Sequence, residues 1–271
     1  MTYNQLFEQF KNRYGDNHDV IFFELVYYCS VVVKDKNDFI TNRNVPINFK
    51  ERKFWKLANQ YFVKQKPLAH ITGHTKFCGL DFAIHKKVLA PREVTEQMTQ
   101  DFINTHKQTP AAPLWDLCCG SGCIGISIKK YLPQFEVVCI DKYWGPIFNT
   151  HDNGVKHKTP LTVDCKDAVN FLNSQSFAGY IISNPPYINF SNFKNNKMFK
   201  YESKNALIAE ENGMYFYKKY FEWLSKHTFK EAWFEIGYDL VEPIKLEISK
   251  YKDLTLEMPK DRQYIIIKRK R

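Results

Sequence analysis

From Leu114 onward, short apolar runs alternate with longer stretches of helical period. Leu114–Leu117, Glu136–Ile140, Leu161–Val163, Tyr180–Ser183 and Ala232–Ile236 read as buried strands. Leu254–Glu257 and Tyr264–Ile267 read as two more, joined by a turn through Pro259, Lys260 and Asp261. Cys123–Tyr131, Met214–Lys226 and Leu240–Lys250 read as helices; Met214, Tyr217, Phe221 and Leu224 form one stripe. Strands alternating with helices predict an α/β fold on a parallel sheet.

The front of the chain has a different pattern. Residues 1–72 predict a small helical module, with Leu6 and Phe10 on one face and Phe54, Ala58 and Phe62 on another. Asn42, Asn44 and Pro46 break it, and Val31-Val32-Val33 is its one strand candidate. Such a module either docks a substrate or is a packing appendage. Residues 73–91 predict a β-hairpin connector: Gly73 and Gly79 bracket Thr75–Cys78, and Leu80–Ile84 alternates. After Pro91 a helix is expected, with Val94, Met98 and Phe102 on one stripe; Thr109–Pro113 closes it. The expected divisions are 1–72, 73–91 and 92–271.

Composition narrows the class. Aromatic residues make up 16% of 271, which argues for a folded globular protein and against disorder. The net charge of +10 suits an acidic or nucleic-acid-containing partner, although the excess lysines are scattered as on ordinary solvated faces. Seven cysteines without a Cys-x-x-Cys pair, several inside apolar runs (Cys29, Cys139, Cys165), suggest reduced thiols. The opening residues lack the basic-then-apolar order of a signal peptide, and Val20–Val33 is interrupted by Glu24 and too short to span a bilayer. A soluble cytoplasmic protein is expected.

Three constellations carry candidate chemistry. Asp116-Leu117-Cys118-Cys119-Gly120-Ser121-Gly122 ends a strand, turns on small residues and opens a helix. Gly120 and Gly122 allow a ligand close to the backbone, and Asp141, ending the next strand, can accept both hydroxyls of a ribose. Cys118 stands where the dinucleotide fingerprint has its first glycine, and the loop lacks the lysine of a phosphate-gripping loop. A nucleoside without a pyrophosphate fits better, and S-adenosylmethionine is such a ligand. Second, Asp167 or the next backbone N–H can read an adenine edge, while Asp164 reads as a solvated loop acid. Third, Asn184-Pro185-Pro186-Tyr187 follows a buried strand, and two prolines end the ladder on a stiff loop. The Asn184 side-chain oxygen and the Pro185 carbonyl can accept both N–H bonds of a substrate –NH2, and Tyr187 can pack on the planar group. Rate would then come from alignment and placed dipoles, without a metal or a cysteine nucleophile.

These residues resemble the HemK/PrmC family of peptide-chain release factor glutamine N5-methyltransferases, over essentially the whole chain. The likeness rests on Pro67-Leu68-Ala69-His70-Ile71-Thr72-Gly73, on Phe77–Phe82, and on Val88-Leu89-Ala90-Pro91-Arg92-Glu93-Val94-Thr95-Glu96. It continues through Asp116–Gly122 and Ser183–Ile188 to Glu202, Ala206-Leu207, Glu235-Ile236-Gly237 and Asp261-Arg262. The resemblance implies a Rossmann-like methyltransferase domain, with an antiparallel C-terminal strand on the mostly parallel twisted sheet, behind a helical domain that helps dock the release factor. It implies S-adenosylmethionine as cofactor (S-adenosylhomocysteine as product) and, as substrate, the glutamine of a Gly-Gly-Gln loop. By position, Cys118, Cys119, Gly120, Ser121 and Gly122 would cradle the methionine part and Asp141 the ribose. Asp167 and Ala168 would border the adenine, Asn184 would also touch the cofactor, and Asn184, Pro185, Pro186 and Tyr187 would hold the glutamine amide. The sequence departs from the family at Cys118-Cys119, at Ala168, at Ser203, and at Gly145-Pro146, which interrupt an expected helix.

Other signals weigh less. His70, His74 and Cys78 have helical metal-ligand spacing, but Gly73 and the hairpin disrupt the helix, so no metal is expected. Cys119 and Cys123 read as reduced residues of a turn and a helix start, and Lys268–Arg271 as a solvated basic end. A ribosomal-protein glutamine, an adenine amino group on a flipped base, and a non-catalytic basic binding module remain the rival readings. A monomer is expected, with a protein partner, no membrane and no required nucleic acid.

Overall fold

The computed structural model describes residues 1–176, 179–195 and 197–270, and the chain divides into two compact units, Met1–Gly73 and His74–Arg271. The first unit contains α1 (Tyr3–Tyr14), α2 (Asp19–Cys29), α3 (Lys36–Asn42), α4 (Glu51–Phe62) and α5 (Leu68–Thr72). Thr2 and Gln5 form a capping box that satisfies otherwise orphaned N–H groups at the start of α1. Phe10, Phe22 and Phe54, all buried, meet ring against ring at centroid distances of 5.3–5.9 Å. Each contributes about 1.5–3 kcal/mol by burial alone. The expected strand at Val31–Val33 does not form. Ser30 Oγ accepts from the N–H groups of Val32 and Val33, so a local turn takes the donors that a strand partner would need.

In the second unit, β1 (His74–Phe77) and β2 (Leu80–Ala83) pair antiparallel around Cys78 and Gly79. Then come α6 (Glu93–Thr105), β3 (Pro113–Leu117), α7 (Cys123–Tyr131), β4 (Glu136–Asp141), α8 (Trp144–His157), β5 (Thr162–Cys165), α9 (Ala168–Asn173) and β6 (Tyr180–Ser183). After β6 follow α10 (Phe190–Asn195), α11 (Tyr215–Lys226), β7 (Glu231–Glu235), α12 (Val241–Ile248), β8 (Leu254–Glu257) and β9 (Tyr264–Arg269).

Among the described residues, seven strands form one sheet in the order β5-β4-β3-β6-β7-β9-β8. All neighbours from β5 to β7 run parallel, and β9 alone is reversed against both β7 and β8. The chain therefore leaves β3 in one direction to β4 and β5 and returns on its other side as β6. That reversal opens a crevice at the carboxyl ends of β3 and β6, where open α/β sheets bind ligands. The pleat sorts the side chains. Trp115, Leu117, Ile181, Ala232 and Phe234 enter a core with residues of α9, α11 and α12. On the opposite face Phe102 of α6 packs against Phe135, Tyr180 and Trp233. By the same alternation Asp116 and Glu235 turn toward the α6 and α7 side.

Gly145 and Pro146, expected to interrupt a helix, lie inside the first turn of α8. Proline is accepted there because the first N–H groups of a helix have no intrahelical partner to lose. Further along α8, Asn149 and Asn153 are wholly buried and hold the hairpin: they bond the N–H groups of His85 and Ala83 and the Ala83 carbonyl. Asp164, expected in a solvated loop, ends up in β5, 2.7 Å from Lys166 Nζ. In the basic C-terminal run, Arg269 is held on Asp253 and on the Leu224 and His227 carbonyls, and Lys268 on Glu257, while Lys270 is exposed. Arg271 lies outside the described residues.

Candidate active site

The loop after β3 turns by alternating left-handed backbone: Cys118, Gly120 and Gly122 have φ of 61°, 60° and 76°. Gly122 begins α7, and a Cβ there would stand 2.7 Å from Thr150 Cγ2. Cys118 adopts the same conformation with a side chain, at a cost of about 1–2 kcal/mol. Packing of its thiol near the Tyr220 hydroxyl, 3.8 Å away, offsets part of that. All seven cysteines are free thiols, and burial pushes those of Cys118, Cys119 and Cys123 well above their ordinary pKa. They are protonated and poorly nucleophilic at neutral pH.

Asp141 is placed by the end of β4 beside this loop. Its Oδ2 accepts from Gly120 N–H at 3.1 Å and its Oδ1 from Tyr143 N–H at 3.1 Å. Those bonds fix the carboxylate and leave a lone pair on each oxygen, which suits a vicinal diol. Asp167 caps α9 through its Oδ1, while its Oδ2 lies 3.3 Å from Lys142 Nζ.

At the end of β6, Ser183 Oγ donates to the Leu117 carbonyl at 2.6 Å and aligns the two loops. Asn184 Nδ2 donates to Thr95 Oγ1 at 3.1 Å. Thr95 Oγ1 donates to Glu235 Oε2 at 2.5 Å, and Tyr187 Oη donates to Glu235 Oε1 at 3.0 Å. Glu235 is 1% exposed, and burial pushes its carboxyl up to about 7 despite three side-chain partners and Arg92. The Tyr187 ring also lies against Gly237, where a Cβ would stand 3.3 Å from Cδ2.

One cavity of about 550 Å³ joins these parts; Cys118, Cys119, Gly120, Ser121, Asp141, Asp167, Ala168, Asn184 and Pro186 all line it. Of the other expected residues, Gly122 supports the loop from behind, Pro185 is buried, and Tyr187 is anchored to Glu235. The size falls in the range of small-ligand sites, and the donor set suits a nucleoside with an amino-acid tail. Among the described residues, no group of three or more His, Cys, Asp or Glu is placed to hold a metal ion. His74 instead lies 3.1 Å from Asp81.

Sequence reading gave no role to several residues that build this site. Arg92, Thr95 and Glu96 belong to the Pro-Arg-x-x-Thr-Glu motif, and each has a separate partner: Glu202 at 2.5 Å, Glu235 at 2.5 Å, and the Cys78 N–H at 2.6 Å. The motif thus ties the hairpin, the loop after β6 and the end of β7 to one helix. Tyr215 and Phe216 add aromatic walls to the cavity. Besides the family likeness of Val88–Glu96, the signal available for the triplet was its polarity at the head of an otherwise apolar stripe.

Comparison with known proteins places the chain. Residues 82–212 match the family model "Methyltransferase small domain". The release factor glutamine methyltransferase of Clostridium botulinum is 32% identical over 227 residues, covering 77% of this chain and 76% of that protein. That of Clostridium acetobutylicum is 29% identical and covers 85% and 84%. Among solved structures, the hMettl16 catalytic domain bound to an RNA hairpin shares the fold at TM-score 0.56 and 13% identity, covering 92% of this chain and 88% of that one. The T. thermophilus 16S rRNA N2 G1207 methyltransferase has a TM-score of 0.51 at 11% identity and covers 73% and 50%. With sequence relatives at this identity and coverage, and the strand order and crevice of a methyltransferase sheet, the chain belongs to the release factor glutamine methyltransferase family.

Proposed function

We propose that this protein methylates the side-chain amide nitrogen, N5, of the glutamine in the Gly-Gly-Gln loop of a peptide-chain release factor. The observation that carries the reading is that Gly120, Asp141 and Asn184 line a single cavity at the carboxyl ends of adjacent strands. S-adenosylmethionine, when bound, supplies a methyl group on an electrophilic sulfonium. Cys118–Ser121, with Gly122 shaping the turn behind them, take its methionine part, Asp141 the ribose, and Asp167 with the Ala168 N–H the adenine edge. Asn184 Oδ1 and the Pro185 carbonyl accept the two N–H bonds of the glutamine amide. That holds the nitrogen's lone pair toward the cofactor side of the cavity and favours the pyramidal geometry it must develop. The stiff prolines keep both acceptors in place without reorganisation. The helical first unit assists docking of the release factor.

The direct test incubates the full chain with labelled S-adenosylmethionine and, separately, purified release factor, ribosomal protein, or adenine-containing DNA and RNA. Label on the release factor, located by peptide mass spectrometry to the Gly-Gly-Gln glutamine, is expected. Label on nucleic acid with the factor unlabelled would overturn the reading. Asp141→Asn turns one acceptor oxygen into an NH2 that faces a backbone N–H or the ribose. Losing a charged hydrogen bond of about 1.5–3 kcal/mol predicts S-adenosylmethionine binding about 10- to 100-fold weaker by calorimetry, with little change in release-factor binding.

A further inference from the structure

A carboxamide has two nearly isosteric ends, and only one of them accepts a proton. For Asn184 to receive a substrate N–H, something must decide which end faces the cavity. The surroundings of its other end make that decision. Asn184 Nδ2 meets Thr95 Oγ1 at 3.1 Å and also interacts directly with the Glu235 carboxylate, and Thr95 is 2% exposed at the head of α6. The hydroxyl carries one proton, and that proton goes to Glu235 Oε2 at 2.5 Å. An ionised carboxylate only accepts, so the bond runs in one direction. The hydroxyl therefore offers Asn184 lone pairs alone, which demand N–H from the amide. The Oδ1 end is left for the cavity.

We propose that Thr95 and Glu235 are positioning residues that lock the Asn184 carboxamide with its oxygen toward the substrate nitrogen. The proposal rests on the reading of Asn184 as acceptor for the glutamine amide. Glu235 does the same for a second residue, because its Oε1 takes the Tyr187 hydroxyl proton at 3.0 Å. One buried carboxylate at the end of β7 thus sets the donor direction on both sides of the Asn-Pro-Pro-Tyr loop. Without the lock, an amide turned by half a rotation would set N–H against N–H and repel the substrate.

The charge of Glu235 gives the lock a pH dependence. Arg92 faces it from the start of α6 and Tyr187 from the loop after β6; Tyr217 of α11 donates to its main-chain carbonyl at 2.7 Å, and Asp239 faces both tyrosines. When Glu235 is protonated toward Thr95, the hydroxyl accepts from it and its own proton is freed to donate to Asn184, so the amide is no longer held to one orientation. The active form is the ionised one, so catalysis is lost as pH falls through about 7.

The test uses the full chain, S-adenosylmethionine and purified release factor. Thr95→Val keeps the shape and removes the hydroxyl. We expect kcat to fall about 10- to 100-fold while the calorimetric S-adenosylmethionine affinity stays within about twofold. Thr95→Ser should restore kcat to within about threefold, which a mere packing role would not do. Glu235→Gln should lower kcat similarly and remove the rise in rate near pH 7. In 15N spectra, one asparagine side-chain NH2 pair beyond those of buried Asn149 and Asn153 should be protected from exchange in wild type and Thr95→Ser and unprotected in Thr95→Val. Where Thr95→Val fails to fold, Glu235→Gln and the NH2 pair of Thr95→Ser decide. Wild-type kcat in a folded Thr95→Val, or an unaltered pH profile in Glu235→Gln, overturns the lock. Wild-type protein that binds S-adenosylmethionine but leaves the release factor unlabelled overturns the underlying reaction instead.

Discussion

Replacing Asn184 by alanine should slow methyl transfer to the release factor by two to three orders of magnitude. The size follows from what is lost: one preorganised hydrogen-bonding group aimed at the reacting nitrogen, worth about 100- to 1,000-fold in kcat in water-excluded sites. The change should be confined to kcat. Cys118, Gly120 and Asp141 are held by the loop after β3 and the end of β4, not by Asn184, so cofactor affinity should stay within about twofold. The fold should survive as well, because Pro185 and Pro186 keep the loop stiff and Tyr187 keeps its bond to Glu235. Steady-state kinetics paired with calorimetry would read both quantities. Retained activity in the alanine variant would remove Asn184 from the mechanism.

Gly213→Ala should be the most damaging small substitution near the site. Glu211, Asn212 and Gly213 lie in succession with φ of 53°, 54° and 93°, a left-handed turn leading into α11. An alanine at that φ costs about 1–2 kcal/mol. Its Cβ would also stand 2.3 Å from the Tyr187 carbonyl oxygen and 3.1 Å from its carbonyl carbon. A main-chain group cannot swing aside as a side chain can, so overpacking adds about 1–3 kcal/mol. A total of about 2–5 kcal/mol corresponds to a fall in Tm of about 4–20 °C for a unit of this size. Relief comes most easily by shifting the Asn-Pro-Pro-Tyr loop, so kcat should drop along with stability. A variant with wild-type Tm and kcat would show that the turn relaxes elsewhere.

The parts of the fold that were legible share a physical cause. Strands buried on both faces, such as Leu114–Leu117 and Tyr180–Ser183, are mostly apolar, with Asp116 and Ser183 as the polar exceptions, and they stand out against polar helices. The loops after them were legible because glycine and proline report backbone geometry directly. Two local patterns misled for equally physical reasons. Val31–Val33 has strand-forming side chains, but the preceding Ser30 hydroxyl takes the N–H groups of Val32 and Val33. Gly145-Pro146 looks like a helix breaker and is one in a helix interior; its place in the first turn of α8 makes it harmless.

Residue type and spacing by themselves determined that an acid, a small-residue turn and an Asn-Pro-Pro-Tyr loop sit at strand ends, and hence which chemistry the chain is equipped for. Only the tertiary structure decided that Thr95, 140 positions before Glu235 and 89 before Asn184, stands between the two. Periodicity tells which face of an element is buried. What lies against that face is set by strand order, here the reversal that brings β6 and β7 to the side of β3 away from β4. A threonine on α6 reads as one more buried hydroxyl until the sheet delivers a carboxylate to one side of it and an amide to the other.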